Sequence, residues 1–327
     1  MAILDVTIAR FEGFAFLKVP IVAIINPISG AGADPAAAGR RVALVRAEAK
    51  RRGLRADIHL TERGGHAREL AAASAAAGTE LVIVWGGDGT INEAGSALLG
   101  SSTTLGVVPA GSGNGLAAAL GVPRDPLTAL ATAFDGSTRA IDAGVIAGRP
   151  FFNIAGVGFD ARVARLFNQR AAGSRGGWPY VVIGVREGWR YGPEEYEIQL
   201  DDDARRVRAL IIAFANGREY GMGARIAPGA LLDDGLLDAT IVEEAVGITI
   251  LARFWHARHL ALGTAHRAPG VSMRHIRRAT VRADGPIDFH VDGEPAVAEG
   301  RIDVSILPAA LRIRSATTGH LGTVKEG

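Results

Sequence analysis

The sequence predicts an α/β chain in two parts: an N-terminal doubly wound parallel-sheet nucleotide-binding domain, followed by an antiparallel β-sandwich domain. Three observations carry that expectation. Three times in the first third, a short apolar strand runs into a glycine-rich turn and then into an alanine-rich helix. The middle turn reads Gly86-Gly87-Asp88-Gly89-Thr90. After Ala143 the pattern changes to short alternating runs separated by glycine, proline and acidic turns. Strands alternating with helices imply a parallel sheet covered on both faces, whereas closely spaced alternating runs imply antiparallel β structure.

The elements follow in order. Ile21 to Ile25 reads as a buried strand, a loop through Gly30 and Gly32 leads to a helix over Ala36 to Arg52, and Ala56 to Leu60 is the next strand. A helix follows over His66 to Ala77, then the Leu81 to Trp85 strand, a helix from Ile91 to Leu99 and a strand from Leu105 to Val108. Gly111-Ser112-Gly113-Asn114-Gly115 opens a further alanine-rich helix. In the second part, strands are expected at Glu195 to Leu200, Val207 to Phe214, Leu237 to Val242, Ala279 to Val281, Ile287 to Val291 and Ile302 to Leu307. Asp201-Asp202-Asp203 reads as a hairpin turn, Arg170 to Pro179 as a glycine-rich basic loop suited to a lid, and Ile248 to Leu262 as an amphipathic helix. The apolar residues around Phe254 and Trp255 suit the core first, and after it a homodimer contact or a membrane surface. The expected division is 1–142, 143–310 and a tail 311–327 that returns to the first domain.

The chain has 327 residues, nearly half of them hydrophobic, and a formal net charge of +2. That length and composition bury two cores of ordinary size, and so small a charge argues against a nucleic-acid binder. The pairs Arg40-Arg41, Arg51-Arg52, Arg205-Arg206 and Arg277-Arg278 read as solvated faces before they read as contacts to an anionic membrane. With no cysteine, disulfides, thiolate metal sites and cysteine nucleophiles are excluded. The first residues lack the order of a signal peptide, and no apolar run reaches the roughly 18 residues of a transmembrane helix. A cytoplasmic location, with peripheral contact at the inner membrane surface, is the expectation.

The glycine turns carry the chemistry. A strand that delivers the chain to a helix start offers backbone N–H groups and the positive end of the helix dipole to an anion such as phosphate. Gly86, Gly87 and Gly89 permit unusual backbone angles and close approach, Thr90 is placed to cap the helix, and Asp88 puts a carboxylate where magnesium would sit. Other motifs fail: no Gly-x-x-x-x-Gly-Lys-Ser/Thr loop, no Gly-x-Ser-x-Gly elbow and no His-Glu-x-x-His is present, and Leu116 stands where a dinucleotide fingerprint needs its third glycine. His66, His256, His259 and His290 show no metal-ligand spacing and read as ordinary surface or core histidines.

An ordered set of signatures remains: Asn26-Pro27-Ile28-Ser29-Gly30, Thr61 followed by His66-Ala67, Gly86 to Glu93, Pro109 to Asn114, Gly158-Phe159-Asp160-Ala161, Asn216-Gly217 through Tyr220-Gly221, Ile226-Ala227-Pro228, Asp233 to Asp238, and Asp292-Gly293-Glu294. The set resembles the diacylglycerol-kinase-like lipid kinases, which include bacterial diacylglycerol kinases, sphingosine kinases and ceramide kinases. It spans nearly the whole chain. Gly-Gly-Asp-Gly-Thr alone is shared with NAD kinases and phosphofructokinases, whose nucleotide-binding domain is of the same kind.

The resemblance implies an ATP- and Mg2+-dependent kinase with a lipid hydroxyl as acceptor. Asn26, Pro27, Ile28, Ser29, Gly30, Thr61, Gly86, Gly87, Asp88, Gly89, Thr90, Ile91, Asn92, Glu93, Ser112 and Asn114 would then contact the nucleotide, with Asp88 acting through the metal. Ser112 replaces the family's usual threonine, and Gly115 its usual aspartate. Glu294 is the candidate general base, since an alcohol must lose its proton as it attacks phosphorus, and Asp160 would support it across the domain cleft. Asp234, with the carbonyls of Leu231 and Leu236, resembles the family's structural metal site. The rivals are NAD-kinase-like phosphorylation of a soluble substrate and a catalytically silent lipid- or nucleotide-binding module. Asn92-Glu93 directly after the glycine turn, together with Asn26-Pro27 and Asp292-Gly293-Glu294, favours the lipid kinases.

Overall fold

The computed structural model describes residues 21–30, 35–169, 192–220, 225–243, 264 and 268–316. The proposed lid at Arg170 to Pro179, the helix at Ile248 to Leu262 with Phe254, Trp255, His256 and His259, Gly221, and the chain's two ends lie outside those residues. The first part runs β1 (Ile21–Ile25), α1 (Pro35–Arg51), β2 (Ala56–Leu60), α2 (His66–Ala76), β3 (Leu81–Gly86), α3 (Asp88–Leu98), β4 (Thr104–Pro109), α4 (Gly115–Ala119) and α5 (Pro126–Asp135). The strands pair in parallel in the order β4-β3-β1-β2, with Ile21 opposite both Leu81 and Ala56. Every residue of β1, β3 and β4 is buried. That explains their unbroken apolar runs, since a strand covered on both faces has no polar side.

The second part comprises β5 (Ser137–Ile146), β6 (Arg149–Phe151), β7 (Ile154–Gly158), α6 (Phe159–Gln169), β8 (Glu194–Leu200), β9 (Asp203–Ala215), β10 (Leu237–Glu243), β11 (Val271–Ile276), β12 (Arg278–Val291) and β13 (Glu294–Ser315). All pairings among these strands are antiparallel. β9 and β12 each pair with β7 and with β8, closing a ring around a core that includes Phe151, Phe214, Phe289 and Ile302. The Asp201-Asp202 segment is a two-residue hairpin turn between β8 and β9, with Asp201 at positive φ. The separate strands expected at Ala279 to Val281 and Ile287 to Val291 are one strand, β12, whose pairing with β13 shifts register between Arg282 and Pro286.

β13 joins the two parts. Its early residues pair with β12, its later ones with β5, and Ile313 lies in parallel register with Leu105 of β4. Leu311 and Ile313 are buried in the same apolar cluster as Val84 and Leu105. Glu294, the first residue of this strand, is thereby tied to the sheet that carries the glycine turns.

The arginine pairs are mostly neutralised locally: Arg51 and Arg52 by Glu48 and Asp135, Arg205 by Glu243, Arg206 by Glu197 and Arg278 by Asp202. The pairs of Arg205, Arg206 and Arg278 are exposed and of small energetic weight, while the Arg52 side chain is largely buried between Glu48 and Asp135. Among the described residues no helix is long and apolar enough to cross a bilayer.

Candidate active site

The three glycine turns and the Asp292-Gly293-Glu294 turn meet at the carboxyl ends of β1, β3 and β4. α3 begins at Asp88, three residues earlier than its apolar spacing indicates, with extended Gly87 as N-cap and no side-chain cap. Thr90 is therefore inside the helix and does not cap it. Its Oγ1 accepts a hydrogen bond from Asn26 Nδ2 at 2.9 Å, joining the first and second turns. Gly86, Gly87 and Gly89 do not adopt left-handed backbone angles. Gly86 and Gly87 are held to glycine by crowding, since a Cβ on Gly86 would stand 2.7 Å from Thr90 Cβ and one on Gly87 3.3 Å from Gly111 Cα, whereas one on Gly89 would meet only the end of the Glu294 side chain, 3.1 Å from Oε1.

The Asn26 loop is held by its own atoms and by Arg41. Asn26 Oδ1 accepts the Ile28 N–H, and Ser29 Oγ donates to the Asn26 carbonyl. Arg41 of α1 donates to the Asn26 carbonyl at 2.7 Å, to Ser29 Oγ at 3.0 Å and to the Ser29 carbonyl at 2.7 Å, and stands over the Trp85 ring. Burial lowers the Arg41 pKa from its ordinary value, and the neighbouring Arg40 adds to the effect. Gly30 has φ 96°, an angle that favours glycine, while Pro27 and half-exposed Ile28 form the loop's tip. Thr61 follows β2 and donates its N–H to the Ile25 carbonyl. Glu93 reaches Gly65 at the start of α2, accepting its N–H at 2.9 Å. Ile91 is fully buried, so its side chain belongs to the core.

Asp88 does more than face solvent. Its Oδ2 accepts the Asn114 N–H at 2.8 Å and its Oδ1 the Gly115 N–H at 3.0 Å, clamping the third turn to the second. Burial pushes its carboxyl up to about 6, with the Asp292 charge adding to the rise and the two N–H bonds opposing it. Asn114 is left-handed at φ 58°, and its side chain both accepts from and donates to Gly111, closing the turn on itself. Ser112 is exposed on the same turn. Gly115 leaves no room for the aspartate usual in the resembled family, because a Cβ there would overlap Asn153 Nδ2.

From the second part, Asp292 accepts N–H groups of Phe152, Asn153 and Ile154 and the side-chain amide of Asn92, at 2.8 to 3.1 Å. Burial raises its pKa. Asp292 and Gly293, with φ 48° and 89°, form the two-residue hairpin turn between β12 and β13, and Glu294 follows opposite Val291. Asp160, in the first turn of α6, accepts Tyr220 Oη–H at 2.8 Å and lies 3.2 Å from His290 Nε2.

Residues 20–146 match the diacylglycerol kinase catalytic domain family, and residues 153–315 the YegS C-terminal NAD kinase beta sandwich-like domain family. A diacylglycerol kinase of Mycobacterium tuberculosis is 34% identical over 313 residues, covering 90% of this chain and 94% of its own. The chain belongs to the diacylglycerol-kinase-like lipid kinases. A probable lipid kinase YegS-like protein of Chromohalobacter salexigens is 30% identical over 258 residues, 78% of this chain and 82% of its own. A solved structure of a putative diacylglycerol kinase from Bacillus anthracis has the same fold, with a TM-score of 0.74 at 19% identity over 93% of this chain and 98% of its own. The protein is accordingly a kinase, a phosphotransferase of this family.

Membership sharpens which residues sequence reasoning passed over. Arg41, Asn153 and His290 carry no motif of their own, yet all three touch the turns of the site. The acidic turn at Asp233-Asp234-Gly235 lies elsewhere. Asp233 pairs with Arg139 at 2.5 Å, Asp234 Oδ1 accepts the Leu236 N–H, and buried Asp142 accepts the N–H groups of Gly235 and Ala309. Among the described residues, no three His, Asp or Glu side chains are grouped to hold a metal ion.

Proposed function

We propose that this kinase transfers the γ-phosphate of ATP to a hydroxyl of a lipid such as diacylglycerol or a sphingoid base, in the cleft between its two parts and with Mg2+. The observation that carries the reading is the approach of Glu294 to Gly89, which sets a carboxylate from the second part against the start of α3 in the first. The first-turn N–H groups of α3 have no intrahelical acceptors and would bind phosphate oxygens. The Asn26 loop, Thr61 and the Ser112 turn would flank the nucleotide. Glu294 would take the hydroxyl proton onto its carboxylate as the oxygen attacks, and Asp160 would hold the neighbouring wall.

The donor set suits a hard cation: each Asp88 oxygen accepts one N–H and keeps a lone pair, and the Asp292 charge lies near enough to raise its pKa. Mg2+ held there with ATP would supply neutralisation of phosphate charge. Asp234 with the carbonyls of Leu231 and Leu236 is the second cation site of this reading. A lipid acceptor further implies peripheral contact with a membrane surface, and a homodimer is compatible with it.

The test is transfer of label from γ-labelled ATP, with magnesium, to a panel of lipids in mixed micelles, run beside NAD. Label on a lipid supports the proposal and names its substrate. Label on NAD alone, or on no acceptor despite ATP binding, contradicts it in favour of the two rivals.

A further inference from the structure

Resting on Glu294 as general base, we propose that His290 is a positioning residue that fixes the peptide orientation of the Asp292-Gly293-Glu294 turn against Asp160. His290 is 2% exposed and lies on β12 opposite Gly156 of β7. Its Nδ1 accepts the Gly293 N–H at 3.3 Å, and its Nε2 lies 3.2 Å from Asp160 Oδ2. A peptide N–H only donates, so Nδ1 is bare and the N–H of the neutral ring sits on Nε2, aimed at Asp160. Asp160 in turn takes the Tyr220 hydroxyl on Oδ2 and the Ala161 N–H on Oδ1, so its partners are donors throughout. Gly156 makes room for this pair: a Cβ there would overlap Asp160 Oδ2 and stand 2.9 Å from His290 Nε2.

The turn thus has two anchors of different kinds. Asp292, gripped by four N–H donors, sets where the turn lies. Both central residues of the turn, Asp292 and Gly293, have positive φ, the type I′ pattern, which fixes how the peptide between them faces. That peptide carries the N–H that His290 holds. Losing that bond would loosen the turn from which β13 starts and let Glu294 shift from Gly89.

Two substitutions separate the two ends of the imidazole. His290→Asn places an amide oxygen near the Nδ1 position, keeping an acceptor for Gly293 and losing the contact with Asp160. His290→Gln places an amide nitrogen near the Nε2 position, keeping the donor to Asp160 and losing the acceptor. With the lipid that accepts label, His290→Gln is expected to lower kcat about tenfold with the KM for ATP within about twofold, while His290→Asn stays within about threefold of the parent. Nitrogen-15 NMR of the full-length protein, with the His290 signals assigned by their loss in His290→Gln, is expected to show a bare Nδ1 and a protonated Nε2. Equal losses in the two variants, or a loss confined to KM, would overturn the proposal. If the parent transfers no label or Glu294→Gln remains active, the general-base reading fails, and the NMR spectrum alone decides the geometry: a bare Nδ1 sustains the anchor and a protonated Nδ1 overturns it.

Discussion

The Glu294 carboxylate rests against Gly89 so closely that a Cβ on that glycine would stand 3.1 Å from Glu294 Oε1. The two residues come from turns more than two hundred positions apart, brought together because β13 continues from Glu294 into the parallel sheet.

This proximity makes Gly89→Ala a selective lesion. The methyl group meets the far end of a flexible side chain, which yields at little cost to the fold. We expect Tm to move by about 2 °C or less, while kcat falls about tenfold because the displaced carboxylate no longer reaches the hydroxyl. Melting curves and label transfer, measured on one preparation, check both halves.

The raised Asp88 carboxyl gives a pH dependence with a definite sign. Its folded pKa of about 6 exceeds the ordinary value of 3.8, so between about pH 4 and 6 the folded chain keeps a proton that the unfolded chain has lost. Stability from this group therefore declines as pH rises through that window, by up to about 3 kcal/mol. Urea unfolding at pH 4 and pH 7 should show a stability difference that shrinks in Asp88→Asn. If Asp88 holds Mg2+ as proposed, it does so in its ionised form, and kcat/KM for ATP is then expected to fall about tenfold per pH unit below 6.

Asn153 and Gly115 form a packing pair. A Cβ on Gly115 would overlap Asn153 Nδ2, whose hydrogen bond goes to the Glu219 carbonyl. Gly115→Ala should destabilise by about 1–3 kcal/mol, and Gly115→Ala with Asn153→Ala should cost less than the two single losses added together. A double-mutant cycle in urea measures the coupling.

Arg41 holds the Asn26 loop through three hydrogen bonds to Asn26 and Ser29. Arg41→Ala should raise the KM for ATP about tenfold with a smaller effect on kcat. Arg41→Lys should not restore it, because a point ammonium cannot reproduce the planar fork.

Strands β1, β3 and β4 were legible because burial on both faces leaves unbroken apolar runs, and the glycine turns because each stands between such a strand and the helix that follows it. Less legible was anything set by distant partners. The start of α3 at Asp88 depends on Gly87 as N-cap rather than on apolar spacing, and the register shift inside β12 made one strand read as two. The reason for the glycines was partly misread: crowding by Thr90 and Gly111 holds Gly86 and Gly87 to glycine, Gly89 faces the end of the Glu294 side chain, and none of the three has a left-handed backbone angle. His290 was read as an ordinary histidine because its partners Gly293 and Asp160 lie at separations of 3 and 130 residues and form no motif.

The most direct test of the account compares Glu294→Gln with the parent protein in two assays, phosphoryl transfer to the accepting lipid and equilibrium binding of ATP. The account predicts loss of transfer by about a hundredfold or more with ATP affinity nearly unchanged. Transfer near the parent's rate, or equal losses of binding and turnover, would contradict it.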